Sequence, residues 1–348
     1  MLHLSRPAAQ RLVDQGVATG VSYKEELAVV PGLTITPNVE LKRVVLVDKV
    51  RPTCPSCLVA DVTLKGTLRY ESKLLGADRV PLDATARVTV DLDLPERKKG
   101  WAVRGRLTDV KKPVVELGQI PSQITKLASD PLESWLNGQI GTLEPIVLGT
   151  FTGDDLPLVA LQRVVAEEGG IRVEMLSDAV RRGTVDPTVA PPADGLRLDA
   201  AASSLVWIGR REAFGLGPQS DLEIAAIPDR LEISQGHFEL DFRLWKLSHG
   251  SWWRDLRATG TADLKKRKIK LVADDVEQLD QSKGATLADP LAALAQGRVL
   301  EEIANNLTRS LPTPPPPSAG GSGLTTVLGT LDGDGDRVLL TGDLVPQP

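Results

Sequence analysis

The chain has 348 residues, 41% of them hydrophobic and 25% charged, with a formal net charge of -5 and an isoelectric point near 5.5. That balance belongs to a soluble globular protein rather than a disordered one. Its acidity excludes nucleic acid as the main partner, because phosphate binding is driven by clustered Lys and Arg. No stretch approaches the roughly 20 consecutive apolar residues of a membrane-spanning helix, and the opening residues lack the basic-then-apolar pattern of a secretory leader.

In chain order, Leu2-His3-Leu4 is followed by Ser5, which caps a helix whose Ala9, Leu12, Val13, Gly16 and Val17 fall on one stripe. After Cys54-Pro55-Ser56-Cys57 come amphipathic strands. Val62, Leu64, Leu68 and Tyr70 alternate with Thr63, Lys65, Thr67, Arg69 and Glu71, and Val88, Val90, Leu92 and Leu94 alternate with Arg87, Thr89, Asp91 and Asp93. A basic hairpin tip follows at Glu96-Arg97-Lys98-Lys99-Gly100. The segment Ser122 to Ser129 adds a helical turn or two, bent at Pro131, and Asp130-Pro131 opens a helix with the stripe Leu132, Trp135, Leu136 and Ile140.

The same signatures then return in the same order. Leu196-Arg197-Leu198-Asp199 leads into Ala202, Leu205, Val206 and Gly209, with Asp199 as the cap. Phe238, Leu240, Phe242 and Leu244 alternate with Glu239, Asp241 and Arg243, and Lys265-Lys266-Arg267-Lys268 forms a second basic tip. Asp289-Pro290-Leu291 opens a helix with the stripe Leu291, Leu294, Val299, Ile303 and Leu307. Val147-Leu148-Gly149-Thr150-Phe151-Thr152-Gly153-Asp154 comes back as Val327-Leu328-Gly329-Thr330-Leu331-Asp332-Gly333-Asp334. A repeat of this length implies duplicated domains. The expected layout is a first unit over 1–182, a Pro-rich linker over 183–195, and a second unit over 196–348 with a Pro/Gly-rich insert at 311–323.

Each half therefore orders itself as a helix, antiparallel amphipathic strands, a second helix and a closing hairpin. This layout, with the opening Leu2-His3-Leu4-Ser5 leading into the stripe of Ala9, Leu12, Val13 and Gly16, resembles the bactericidal/permeability-increasing protein family of the tubular lipid-binding superfamily. The resemblance implies an α+β fold of two tandem repeats, each a highly curved antiparallel sheet wrapped around long amphipathic helices. It also implies binding or transfer of a lipid or fatty acyl ligand, and export to the periplasm or cell envelope. The chain departs from the family in its acidic charge and in its two cysteines being neighbours, which sets membrane killing aside more than lipid binding.

An acyl chain buried between helix and sheet gains about 0.8 kcal/mol per methylene. The candidate lipid contacts are Leu12, Val13, Gly16, Leu64, Leu68, Val88 and Val90 in the first half, and Leu205, Val206, Gly209, Phe238, Leu240 and Phe242 in the second. The same alternation also describes a fully packed core, and each glycine admits either a close strand or a bound chain. Trp252 and Trp253, with Arg97, Lys98, Lys99, Lys265, Lys266 and Arg267, are candidates for contact with an anionic membrane surface. Against this, one tryptophan of an adjacent pair on a strand faces the core, and charged tips are often merely solvated.

Cys54 and Cys57 have redox spacing, but they run into a strand rather than opening a helix, so a local disulfide or a plain loop is the expectation. A zinc site wants four ligands, and no second cysteine pair exists. His3, His237 and His249 are the only histidines, none in His-x-x-x-His spacing, and no Gly-x-Ser-x-Gly elbow occurs. Asp332, Asp334, Asp336 and Asp343 imitate a calcium loop, but Arg337 stands where that loop needs glycine, so a hairpin is expected. The expected function is non-enzymatic lipid binding without cofactor or metal. The competing readings are a scaffold with dry cores that docks a protein partner, and a thiol-redox module.

Overall fold

A computed structural model of the chain describes residues 1–17, 22–47, 49, 51–97, 100–143, 145–152, 159–177, 192–215, 224–246, 252–265, 268–283, 297, 299–301, 303–304, 323–334 and 336–347. The expected linker falls largely outside these residues, as do the 311–323 insert, Lys98, Lys99, Lys266, Arg267 and most of the helix expected after Asp289.

Strand β1 (Leu2–Ser5) runs into helix α1 (Arg6–Gly16). The turn is made by Ser5, whose hydroxyl accepts from the Ala8 amide at 3.1 Å, with Pro7 in the first turn where its missing N–H leaves no bond broken. Then follow β2 (Ser22–Lys24), β3 (Leu27–Val30), β4 (Leu33–Val47), β5 (Cys57–Ser72), β6 (Gly76–Asp93), β7 (Glu96–Arg97), β8 (Gly100–Val110) and β9 (Val114–Leu117). Helix α2 (Ser122–Gly141) precedes β10 (Ile146–Thr152), β11 (Val159–Glu167) and β12 (Gly170–Ser177). The rest comprises β13 (Leu196–Ala201), α3 (Ala202–Gly215), β14 (Ile224–Ser234), β15 (His237–Lys246), β16 (Trp252–Lys265), β17 (Lys268–Gln281), β18 (Leu324–Asp334) and β19 (Arg337–Pro346).

The protein is mostly antiparallel sheet with few helices. A nine-stranded sheet runs β10-β8-β6-β5-β4-β2, with β3, β7 and β9 added to β4, β8 and β6. A second sheet is the meander β14-β15-β16-β17. The third runs β11-β12-β1-β13-β19-β18 and draws strands from the start, middle and end of the sequence. In it β1 lies between β12 and β13, so His3 is opposite both Arg172 and Arg197.

The nine-stranded sheet is curled. Helix α1 packs on both β10 and β4, four strand positions apart. In a flat sheet those strands would stand about 19 Å apart, beyond the reach of one helix about 10 Å across. Helix α2 likewise touches β8 and β9 on one flank and β3 on the other. Curling forces close strand approach where a side chain would otherwise intrude. A Cβ on Gly66 in β5 would stand 2.0 Å from the Asn38 carbonyl oxygen, and one on Gly260 in β16 would stand 2.0 Å from that of Val272. Gly260 also sits at a register shift between β16 and β17.

Two local expectations are corrected. Asp199 does not cap α3: it belongs to β13, is wholly buried, and pairs its carboxylate with Arg337 of β19. Asp130-Pro131 does not open a helix, because α2 starts at Ser122 and continues through Pro131. Pro131 removes one helical hydrogen bond, but Ile124, Ala128, Leu132, Trp135, Leu136 and Ile140 on both sides of it are buried in the same core. That shared burial outweighs one lost bond. The helices have 11, 20 and 14 residues for α1, α2 and α3.

Candidate functional site

The alternation in the strands places one continuous apolar face inside the curl. Leu64 lies opposite Leu41 and Ala84, Leu68 opposite Val80, Val88 opposite Ala60, and Val90 opposite Leu58. The outer face carries cross-strand ion pairs. Arg87 and Asp61 bond at 2.8 and 3.0 Å, and Arg104 holds Asp93 with its nearest contact at 2.6 Å. These hydrogen bonds hold both carboxylates below the usual range. Register is thereby specified on both faces.

The structure brings the first-half candidates together. Leu12, Val13, Leu64, Leu68, Val88 and Val90 are all buried in one hydrophobic core, and Gly16 is half-buried at the end of α1. In the second half Leu205, Val206, Phe238, Leu240 and Phe242 are buried in the same core. Gly209 lies within α3, and its surroundings fall outside the described residues. None of these buried residues exposes more than 5% of its surface, so their side chains are covered by protein atoms in this conformation.

Among the described residues, helix spans the opening of the curl. Among the described residues, β5 is the one strand paired with β4 beyond its register shift, and β2 pairs with Asn38 to Glu40. There the Gln10 side chain of α1 bonds the β4 backbone: its amide nitrogen donates to the Val44 carbonyl at 2.8 Å and its oxygen accepts from the Leu46 amide at 2.7 Å. On α2 the Trp135 indole N–H donates to Glu25, between β2 and β3, at 2.6 Å. Lys112, between β8 and β9, pairs with Glu133 at 2.9 Å. Each helix is thus fastened by a few polar contacts across an apolar interior.

The adjacent tryptophans separate as strand geometry requires. Trp252 packs against the core. Trp253 stands on the opposite face, across from Trp245, with the Arg243 guanidinium 4.4 Å from its ring centre and 5.6 Å from that of Trp245. Arg243 is itself held by Asp255 at 2.5 and 2.6 Å, so Trp253 belongs to a stacked cation-aromatic cluster. A cleft of about 420 Å³ beside it is lined by Asp229, Asp241, Arg243 and Asp255 together with Ile227, Phe242, Trp245, Leu256 and Leu279, so charged and apolar groups share its wall. The side chains of Arg97 and Lys265, like Lys98, Lys99, Lys266 and Arg267, lie outside the described residues.

Cys54 and Cys57 are joined by a disulfide at the entry to β5. Asp332 and Asp334 lie in the last residues of β18, paired with Leu339 and Arg337 of β19, and the Asp332 carboxylate accepts from the Gln235 and Gly333 amides.

One exposed feature escaped the sequence reading. The β5–β6 hairpin ends in Leu74, 93% exposed, and Leu75, 45% exposed, beside Val30 of the β3–β4 tip. The two tips are tied by the Lys73 amide, which donates to the Gly32 carbonyl at 3.0 Å. The only signal in the sequence is a Leu-Leu-Gly break after the alternation stops.

No family model matches the chain, and no curated protein matches it. Solved structures do. A lipopolysaccharide binding protein aligns over 100% of this chain and 99% of its own, at 11% identity and a TM-score of 0.32. P47 of Clostridium botulinum E1 aligns over 98% of each chain, at 7% identity and a TM-score of 0.36. P47 from Clostridium botulinum A2 aligns over 98% of this chain and 96% of its own, at 7% identity and a TM-score of 0.38.

Proposed function

We propose that this chain is a non-enzymatic lipid-binding protein that holds an acyl chain between its helices and the apolar face of its curled sheet. The observation that carries the reading is the closure of that sheet by α1 and α2, fastened through Gln10 and Trp135. Here α1 is held by Gln10 on the Val44 carbonyl and the Leu46 amide and by Arg11 on Asp194, Asp343 and the Leu344 carbonyl, side-chain bonds that can part without opening a strand ladder, and an entering chain of 16 methylenes would gain about 13 kcal/mol by burial. Leu12, Val13, Leu64, Leu68, Val88 and Val90 would then line the ligand in the first unit, with Leu205, Val206, Phe238, Leu240 and Phe242 in the second.

On this reading the chain is two copies of one unit, 1–182 and 196–348, each opening with a strand that runs straight into a helix: β1 into α1 and β13 into α3. The two opening strands pair with each other, which joins the units along one sheet. Leu74, Leu75 and Val30, flanked by Lys73 and Arg79, would contact a lipid surface: apolar tips enter the interface while the cations meet anionic headgroups. With Trp253 engaged by Arg243, this tip is a better membrane contact than the tryptophan hairpin.

The second reading, a scaffold with dry cores, draws on the near-complete burial of the same residues. Solvent extraction and mass spectrometry of protein purified without detergent separate the two. Lipid bound in proportion to protein supports the first, as does saturable uptake of a fluorescent fatty acid. An empty extract together with no uptake would sink it in favour of the scaffold.

A further inference from the structure

We propose that the turn at Cys54 is a redox-gated metal site, in which the dithiol form binds one zinc-class cation through Cys54, Cys57 and Asp91. The sulfurs of Cys54 and Cys57 and a carboxylate oxygen of Asp91 all lie within 4.8 Å of one another. The turn that holds the sulfurs is made by backbone bonds, from the Cys54 amide to the Arg51 carbonyl at 2.9 Å and from the Cys57 amide to the Cys54 carbonyl at 3.0 Å. Neither bond involves a sulfur atom. Asp91 is not a chance neighbour: it is the residue directly opposite Cys57 in the β5–β6 ladder. Its carboxylate is oriented by the Ser56 hydroxyl at 2.7 Å, the kind of outer hydrogen bond that aims a metal ligand.

The chemistry of the donors selects the cation. Two thiolates and one carboxylate suit a borderline-soft ion such as zinc over calcium or magnesium. Three protein ligands leave the fourth tetrahedral position to water. The sulfurs need only part to the about 3.8 Å that two thiolates keep on one tetrahedral zinc ion. Disulfide and metal therefore exclude each other.

The steps balance. A dithiol reductant delivers two electrons and two protons to the sulfur-sulfur bond, becomes a disulfide itself, and leaves two protein thiols. The cation then displaces both protons to solvent. The consequence reaches beyond the turn, because the Pro55 carbonyl inside it accepts from the Ala166 amide of β11 at 2.7 Å and ties the nine-stranded sheet to the six-stranded one.

The test is titration of the full chain with cobalt(II), followed by zinc(II) competition. The chain is reduced with a phosphine, which one water and the disulfide convert to its oxide, because a dithiol would itself chelate. The reduced chain should bind one cobalt ion with thiolate-to-metal charge-transfer absorption, and zinc should abolish the band. The oxidised chain should show none, and Asp91→Asn should weaken binding at least tenfold. Far-ultraviolet circular dichroism should match in the oxidised and reduced forms. A reduced chain that gives no charge-transfer band, or that unfolds, overturns the proposal, as does an Asp91→Asn chain that binds cobalt as tightly as the unsubstituted one.

Discussion

Gln10 bonds the β4 backbone: its side-chain oxygen accepts from the Leu46 amide at 2.7 Å while its nitrogen donates to the Val44 carbonyl, so α1 is sewn to β4. Substituting Gln10→Leu takes this partner from both backbone groups and should cost about 1–3 kcal/mol. If the helix is the door, it should also speed uptake of a fluorescent fatty acid and raise hydrogen exchange in α1 and the end of β4. Uptake that slows or stays unchanged while stability falls would mean that this helix is structural only.

The distal tip can be tested without touching the core. Leu74→Asp with Leu75→Asp should leave the melting temperature within about a degree, since exposed positions contribute little to folding. The pair should abolish co-sedimentation with vesicles of anionic phospholipid. Vesicle binding that survives both substitutions would remove the tip from the membrane reading. If the pair instead converts a dimer to a monomer in light scattering, a second copy is what covers the leucines.

His3 makes the six-stranded sheet sensitive to acid. It is fully buried, 3.5 Å from Glu167, and burial together with the Arg197 and Arg172 guanidiniums pushes its pKa down to about 4, against the pull of Asp199. Between its ordinary pKa near 6.5 and about 4 the unfolded chain binds the proton that the folded chain refuses, so stability falls as pH drops through that window. The full loss is on the order of 3 kcal/mol. Burial raises the Glu167 carboxyl, and that shift works in the opposite sense to offset part of the loss. Urea titrations at a series of pH values should show the slope, and His3→Leu should flatten it. An equal slope in the variant would place the acid sensitivity elsewhere.

Gly66 reports on the curl. Its missing Cβ would stand 2.0 Å from the Asn38 carbonyl and 2.7 Å from the Val39 Cα, both backbone atoms that cannot step aside. Gly66→Ala should destabilise by about 2 kcal/mol or more. Gly76→Ala, at a hairpin position with nothing within 4 Å but a φ of 77°, should cost only about 1 kcal/mol of backbone strain. Thermal melts of the two variants compare them directly, and a Gly66 variant as stable as the Gly76 one would contradict the close crossing of β4 and β5.

Asp199 is wholly buried and answers Arg337 across β13 and β19. Asp199→Ala should lower stability by about 2 kcal/mol, because it removes the charge-assisted bonds of a buried carboxylate. Chemical denaturation measures the loss, and a change below about 0.5 kcal/mol would show that Arg337 finds other company.

Much of this was legible in the sequence, for a physical reason: period and capping are local. Ser5, three residues before Ala8, caps the helix that the local sequence opens, and the alternation of Val62, Leu64, Leu68 and Tyr70 with charged residues specifies a sheet with one wet face. What folding decided is which strands meet. Asp199 follows a Leu-x-Leu just as Ser5 does, yet it lies in β13 with its carboxylate bonded to Arg337, 138 positions away, a partner that no local pattern reveals. Pro131 reads as a helix start from its neighbours alone, but the burial of Ile124 and Ala128 before it and of Leu132, Trp135 and Leu136 after it carries the helix through. The curl that brings β10 and β4 to one helix, the clasp of Gln10 on Leu46 and the bareness of Leu74 likewise arise only when distant segments pack, and no window of sequence contains both partners.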